Sequence, residues 1–154
     1  MIRPILIAAS LVFSSPALAD GAWIITSPFP GGAVGYDVAS VVPAKIKGHT
    51  LMTTMLYVSQ PQNFDGKTAN FMVQDVEYDC AAKTAHSLHV QAFDIDGKPV
   101  GAMPGADWTP LSNNPWLDVM SHTACDGLKF KDGVTADNRE AAMQKMKMLH
   151  KGEK

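Results

Sequence analysis

Residues 69–94 read ANFMVQDVEYDCAAKTAHSLHVQAFD, and this stretch decides the fold. Residues 69–79 alternate between two faces that both mix apolar and polar side chains, which predicts a half-exposed strand ending at Cys80. Residues 87–94 alternate again, and an Asp-x-Asp-Gly turn signal follows at 94–97. The stretch therefore predicts an antiparallel meander around Cys80.

Short strands are also predicted upstream of this meander. Residues 23–26, 36–42 and 50–58 are rich in β-branched and aromatic side chains and are bounded by proline or glycine. A turn at 63–67, with the sequence Asn-Phe-Asp-Gly-Lys, leads into the strand of the meander. Together these segments predict about five to six antiparallel strands.

The region after the meander is expected to be less regular. Residues 101–115 contain Pro-Gly, Asp-Trp-Thr-Pro and Asn-Asn-Pro and are typical of a loop. The apolar spacing of residues 116–124 fits either a strand or a short helix. Only the segment that follows this region gives a clear helical signal.

The C-terminus has the pattern of an amphipathic helix. Asp137 and Glu140 have the spacing of a capping box. Apolar residues then recur at helical spacing, with lysines on the opposite face: Ala142, Met143, Met146 and Leu149. The predicted fold class is therefore α+β, an antiparallel sheet with a C-terminal amphipathic helix laid on it or along its edge.

The first 19 residues have the three parts of a secretory signal peptide. Arg3 precedes an apolar run at residues 5–13, and Ala17-Leu18-Ala19 forms a small-residue cleavage site. Cleavage after Ala19 would remove 19 of the 154 residues, and the loss of Arg3 would change the net charge from −2 to −3. The apolar run is shorter than the roughly 20 residues that span a bilayer. We expect an exported chain without a transmembrane segment, located in the periplasm, outside the cell or on its surface.

Export changes how the two cysteines are interpreted. Cys80 and Cys125 are the only cysteines in the sequence, and thiols in an oxidising compartment tend to pair. No C-x-x-C spacing points to a redox pair or a metal site. We predict one disulfide bond between Cys80 and Cys125, which would stabilise the fold by about 4 kcal/mol.

Composition and motifs exclude several classes of function. With 13 basic and 15 acidic side chains, the chain has no basic surface for nucleic acid. No nucleophile elbow, zinc-protease motif or nucleotide-binding loop occurs, so we expect that the protein is not an enzyme. Glu77 and Asp79 could form an acid pair on one strand face, but catalysis would need partners from elsewhere in the chain. An enzyme whose site leaves no motif is one alternative.

A copper site is the other alternative. Thioether and imidazole ligands suit Cu(I) in an exported protein, and four of them lie near the C-terminus: Met143, Met146, Met148 and His150. Met143 and Met146 also fall on the apolar stripe of the predicted helix, where methionine is a common core residue. The main prediction is therefore that the protein has no metal and no cofactor.

Two of the three tryptophans are candidates for contact with a partner. Trp108 and Trp116 lie in or beside the segment rich in glycine, proline and asparagine, where a loop aromatic can anchor a protein partner. Burial in the core is the other interpretation, because tryptophan is highly buried on average.

The order of several motifs resembles one protein family. The motifs are Trp23, Tyr36-Asp37-Val38-Ala39-Ser40-Val41, Tyr57, Glu77-Tyr78-Asp79-Cys80, Asp94-x-Asp96-Gly97, Trp108-x-Pro110-x-Ser112 and Cys125. Their order and spacing are similar to those of the surface-adhesin protein E family of small exported bacterial proteins. The resemblance covers nearly the whole mature chain up to Cys125.

This resemblance implies a fold and a class of function. It implies an antiparallel sheet with a helix and a disulfide bond between the two matching cysteines. It also implies binding of host proteins such as vitronectin and laminin, with self-association into homodimers, and it supplies no catalytic residues. We expect a signal peptide at 1–19, a surface-adhesin E-like domain at 20–130 and a C-terminal helix and tail at 131–154. The expected partner is a host extracellular-matrix protein or an envelope protein.

Overall fold

The structure is a computed structural model that describes residues 21–26 and 29–151. Its elements in chain order are β1 (Trp23–Ile25), β2 (Gly32–Asp37), β3 (Val42–Pro43), β4 (His49–Phe64), β5 (Lys67–Asp79), β6 (Thr84–Phe93), β7 (Pro99–Pro104), β8 (Thr109–Pro110), α1 (Pro115–Asp126), β9 (Val134–Ala136) and α2 (Arg139–Lys151). Short 3-10 turns at Val38–Ser40 and Leu111–Asn113 precede β3 and α1. The predicted signal peptide at 1–19 lies outside the described residues.

The strands of the described residues form one antiparallel sheet. Its order is β7-β6-β5-β4-β2-β1-β9, with β3 paired to the start of β4 and β8 paired to the start of β6. The α+β class is confirmed, but the prediction of five to six strands is wrong, because the sheet has nine. Strands β7, β8 and β9 were not predicted; β8, like β3, has two residues and β9 has three, which is too short for a periodic pattern. Residues 101–115, expected as a loop, contain most of β7 and all of β8.

The two longest strands, β4 and β5, form a hairpin with a tight turn. Asp65 and Gly66 make the turn, and both have positive φ angles, of 49° and 76°. Asp-Gly suits a two-residue turn that needs this conformation at both positions. The Asn63 side chain accepts a hydrogen bond from the Gly66 amide at 3.0 Å. The turn predicted at 63–67 is therefore confirmed.

Both faces of the sheet are covered, but at different ends of the hairpin. On one side, which we call the α2 face, Phe71 and Val73 pack in a core cluster with helix α2. On the other, the α1 face, Val76 and Tyr78 pack in a cluster with helix α1. These four side chains are at most 1% exposed. The mixed pattern of β5 therefore arises from burial on both faces, since successive residues of a strand point to opposite sides. Burial also raises the pKa of the Tyr78 hydroxyl.

Residues 116–124 belong to helix α1. Pro115 occupies the first helical position, and the Asn114 side chain caps the helix by accepting from the Leu117 amide. Gly127 ends the helix in the left-handed conformation, with a φ of 66°. Local signals at both ends therefore resolve the choice between strand and helix that the apolar spacing left open.

The predicted C-terminal helix is present as α2. Its cap is Asn138, whose side chain accepts from the Ala141 amide at 2.8 Å, so the expected cap at Asp137 is off by one residue. Met143 and Met146 are buried in the core cluster of the α2 face, together with Trp23 and Ile25 of β1. Because β9 pairs with β1, the segment after α1 contributes to both the sheet and its core.

A disulfide bond joins Cys80 and Cys125, as predicted. Cys80 directly follows β5, and Cys125 lies in the last turn of α1. The bond therefore fastens the end of the central hairpin to the helix that covers the α1 face.

Because both faces of the sheet are packed, truncating a core side chain should destabilise the fold by a similar amount on either face. Met120→Ala on the α1 face and Met146→Ala on the α2 face should each lower the free energy of unfolding by about 2–5 kcal/mol, because both side chains are fully buried. Met148→Ala is the matched control, since Met148 is 61% exposed, and should change it by less than about 0.5 kcal/mol. Urea denaturation measures all three, and a neutral Met120→Ala would contradict a core on the α1 face.

Candidate functional site

The part of the α2 face beyond helix α2 carries a group of histidine and carboxylate side chains. We call them the histidine–carboxylate cluster: His49, Glu77, Asp79 and His86. Their side chains are between 13% and 27% exposed. The cluster is therefore half-buried and can be reached from solvent.

Strand pairing brings the four residues together. His49 opens β4 and is paired with Asp79 at the end of β5, while Glu77 is paired with His86 of β6. Glu77 and Asp79 are two residues apart on one strand, so their carboxylates lie on the same face. The register of the three central strands therefore builds the cluster from residues that are up to 37 positions apart in the sequence.

The contacts in the cluster form a chain. His49 Nδ1 lies 2.7 Å from Glu77 Oε1, and His49 Nε2 lies 3.3 Å from Asp79 Oδ2. The other oxygen of Glu77, Oε2, lies 3.5 Å from His86 Nε2. Of these three contacts, the one between His49 and Glu77 has hydrogen-bond geometry, and the two longer ones are ion pairs when the imidazoles are protonated. Glu77 therefore contacts the imidazole rings of both His49 and His86.

This geometry favours a positioning role for the cluster. A metal ion needs donors that converge on one point, whereas the two nitrogens of His49 face two different carboxylates. No group of three or more His, Cys, Asp or Glu side chains that could hold a metal ion occurs within residues 21–26 and 29–151. A general base needs a nitrogen that can face its substrate; both nitrogens of His49 face carboxylates, whereas only Nε2 of His86 does.

Trp108 lies on top of the cluster. Its ring centroid is 4.2 Å from that of His86, with an angle of 34° between the ring planes. It also contacts His49 edge-on, at 5.5 Å and 76°. Even so, 43% of Trp108 is exposed. The cluster therefore supports an indole that still presents a large apolar area to solvent.

The chain before Trp108 is held tightly against β6. A Cβ atom at Gly105 would lie 1.5 Å from the backbone oxygen of Ser87, so only glycine permits this close approach. The Gly105 amide donates to the Leu88 carbonyl at 3.3 Å, and the Ala106 amide donates to the Ser87 hydroxyl at 2.9 Å. These contacts fix the segment that carries Trp108 and direct it back to the cluster.

A second polar pair lies next to the cluster on the same face. Thr53 donates to Asp75 through its hydroxyl at 2.6 Å, and its amide donates to the Ser40 hydroxyl at 2.7 Å. Asp75 is opposite the exposed His89 in the β5–β6 ladder. Paired polar groups therefore extend over this half of the face, where no helix covers the sheet.

Trp116, the second predicted contact residue, lies on the opposite side of the sheet. It is half-buried at the start of α1 and packs against the core cluster of the α1 face. It also lines an apolar cavity of about 340 Å³ with Phe29, Val34 and Val119. The structure therefore does not bring Trp108 and Trp116 together on one surface.

The four residues of the copper hypothesis occupy different environments. Met143 and Met146 are buried in the core, whereas Met148 is 61% exposed. His150 packs edge-on against Tyr57, with ring centroids 6.0 Å apart, and its buried Nδ1 has no hydrogen-bond partner among the described residues. Binding of copper by these residues stays an alternative hypothesis.

The sequence showed only part of this site. The spacing of Glu77 and Asp79 was visible, but their partners His49 and His86 come from other strands. A histidine at the start of each flanking strand was the available signal, and it becomes informative only with the strand register. Trp108 was identified as a loop aromatic, and its exposure agrees with that assignment.

The fold and the site define a class of protein: a disulfide-bonded antiparallel sheet with an exposed aromatic residue supported by half-buried histidine and carboxylate side chains. The family model for surface-adhesin protein E matches residues 23–126. The chain belongs to this family, which confirms the resemblance seen in the motifs. No curated protein and no solved structure gives a significant match.

The family match includes the whole site. It extends from the start of β1 to the end of α1, so it contains both cysteines, the histidine–carboxylate cluster and Trp108. β9 and α2 lie beyond it. Among the helices described in the structure, none is long and apolar enough to cross a membrane.

Because Glu77 contacts two histidines, removing its charge should lower the stability of the fold measurably. Glu77→Gln should lower the free energy of unfolding by about 1–2 kcal/mol at neutral pH, because the half-buried carboxylate contacts both His49 and His86. Glu140→Gln is the control, since Glu140 is 69% exposed in its pair with Arg139, and should be neutral within about 0.5 kcal/mol. Urea denaturation gives both values, and equal effects would contradict a structural role for the cluster.

Proposed function

We propose that this protein is a non-enzymatic, exported binding module that contacts a partner protein through a surface centred on Trp108. The observation that carries this proposal is an exposed tryptophan on a fixed support, in a chain that belongs to a surface-adhesin family. The expected partner is a host extracellular-matrix protein or a protein of the bacterial envelope.

The support under Trp108 matters for the energetics of binding. Tryptophan is among the residues that most often dominate binding energy at protein interfaces. A flexible side chain loses rotamer freedom when a partner immobilises it, and this loss opposes binding. Trp108 already stacks on His86 and contacts His49 before a partner arrives. Less conformational entropy is therefore lost on binding.

The surroundings of Trp108 have the composition of an interface. Leu88, at the irregularity of β6 between Ser87 and His89, is 46% exposed. The exposed Asp107 and the partly exposed Asp79 add charge around it. Apolar anchors inside a polar rim are the usual arrangement of a protein-binding patch.

The cluster beneath Trp108 is better suited to support than to proton transfer. His49 contacts carboxylates with both ring nitrogens, and one ring face of His86 is stacked on Trp108. These groups keep the indole in place, which supports a binding role over an enzymatic one. Self-association into a homodimer is a further part of the proposal that rests on the family.

Capture of partners by the mature protein tests this proposal. Immobilised protein is exposed separately to an envelope fraction and to host extracellular-matrix proteins, and the retained proteins are identified and titrated. Trp108→Ala should weaken the affinity for a captured partner by about thirtyfold or more, the effect of losing a dominant contact.

Leu128→Ala is the control for this experiment. Leu128 is an apolar residue outside the cluster, beyond the end of α1, and at 51% it is as exposed as Trp108. Its truncation should leave the affinity unchanged. Capture of no specific protein from either source, or equal binding by wild type and Trp108→Ala, would overturn the proposal.

A further inference from the structure

A second site is suggested by a groove on the α1 face of the sheet, on the side opposite the histidine–carboxylate cluster. It has a volume of about 370 Å³ and lies between the sheet, the start of α1 and the segment that connects β7 to β8. Its lining includes Met72, Gln74, Val90, Met103, Asn114 and Trp116, together with His86 and Asp107 next to Trp108. A volume of this size lies at the lower end of ligand sites in proteins and suits a small group.

Gln74 is the unusual member of this lining. It is only 8% exposed, and its side chain makes no hydrogen bond to another residue within the described part of the chain. Its amide atoms are not among the fully buried, unpartnered side-chain atoms of the described residues, so water can reach them through the groove. The groove is the open space that Gln74 lines, and a ligand there could hydrogen-bond to the amide in place of water.

The residue opposite Gln74 in the sheet does not hydrogen-bond to the Gln74 amide. Thr54 is its partner in the β4–β5 ladder, and the two side chains lie on the same face. The Thr54 hydroxyl is itself buried without a hydrogen-bond partner among the described residues. The two groups therefore do not satisfy each other, and the Gln74 amide keeps both a donor and an acceptor for a ligand.

The rest of the groove selects the chemistry of that ligand. Met72, Val90 and Met103 contribute apolar walls, which favour an apolar side chain. Asn114 uses its side-chain oxygen to cap α1, which leaves its amide nitrogen to donate. An amide beside apolar walls matches a peptide group next to an apolar side chain.

We propose that this groove binds one apolar residue of an extended peptide segment, with the peptide group hydrogen-bonded to Gln74. The proposal rests on the proposed function only in that a partner protein supplies the peptide. Gln74 lies on the face opposite the ring of Trp108, while the chain segment that carries Trp108 borders the groove. The groove therefore adds specificity for sequence to the contact made by Trp108.

The test uses N-acetyl-leucine-N-methylamide as the probe and the mature protein with labelled methionine methyl groups and labelled amides. NMR titration should show saturable shifts at the Gln74 side-chain amide and at the Met72 and Met103 methyl groups. N-acetyl-glycine-N-methylamide, which lacks the apolar side chain, should bind at least about tenfold more weakly. Saturable shifts elsewhere without change at these groups would overturn the proposal.

Variants separate this inference from the proposed function. Gln74→Leu keeps the volume of the side chain and removes its polar groups, so the fold should be kept and the affinity for the probe reduced by about tenfold. Gln91→Leu, on the α2 face, is the matched control and should bind the probe normally. Equal binding by wild type and Gln74→Leu, or no saturable binding by wild type, would refute the groove whatever the capture experiment shows.

Discussion

The central hairpin of β4 and β5 has to bury apolar side chains on both faces, and one helix cannot cover both. Helix α2 packs over Phe71 and Val73, while α1 packs on the other side over Val76 and Tyr78. Each helix therefore leaves part of its face open. On the α2 face the open part is filled by paired charges, and on the α1 face it remains as a groove. Both proposed sites follow from this offset between the helices.

The disulfide bond links these two regions. Cys80 directly follows Asp79 of the histidine–carboxylate cluster, and Cys125 lies in the helix whose first turn borders the groove. The bond limits how far the end of β5 can move from α1, so the support of Trp108 and the wall of the groove belong to one stable unit. The family match covers this unit, whereas α2, which completes the core of the other face, lies beyond it.

The sequence predicted what depends on local chemistry. The Asp-Gly turn at 63–67 and the C-terminal helix carry their own signals and were confirmed. The strand count was wrong because two-residue strands such as β3 and β8 exist only through pairing with β4 and β6. The histidine–carboxylate cluster could not be predicted from the sequence for a similar reason. His49 and His86 meet Glu77 through the register of three strands, which tertiary packing decides.

The central claim is that the open half of the α2 face, with Trp108 at its centre, is where a partner binds. Hydrogen exchange of the mature protein, alone and in complex with its captured partner, tests this claim most directly. We expect slower exchange on binding at residues 49–53, 84–89 and 105–110, and no change in helix α2. Protection confined to α2 and β9, with residues 105–110 unchanged, would contradict the account.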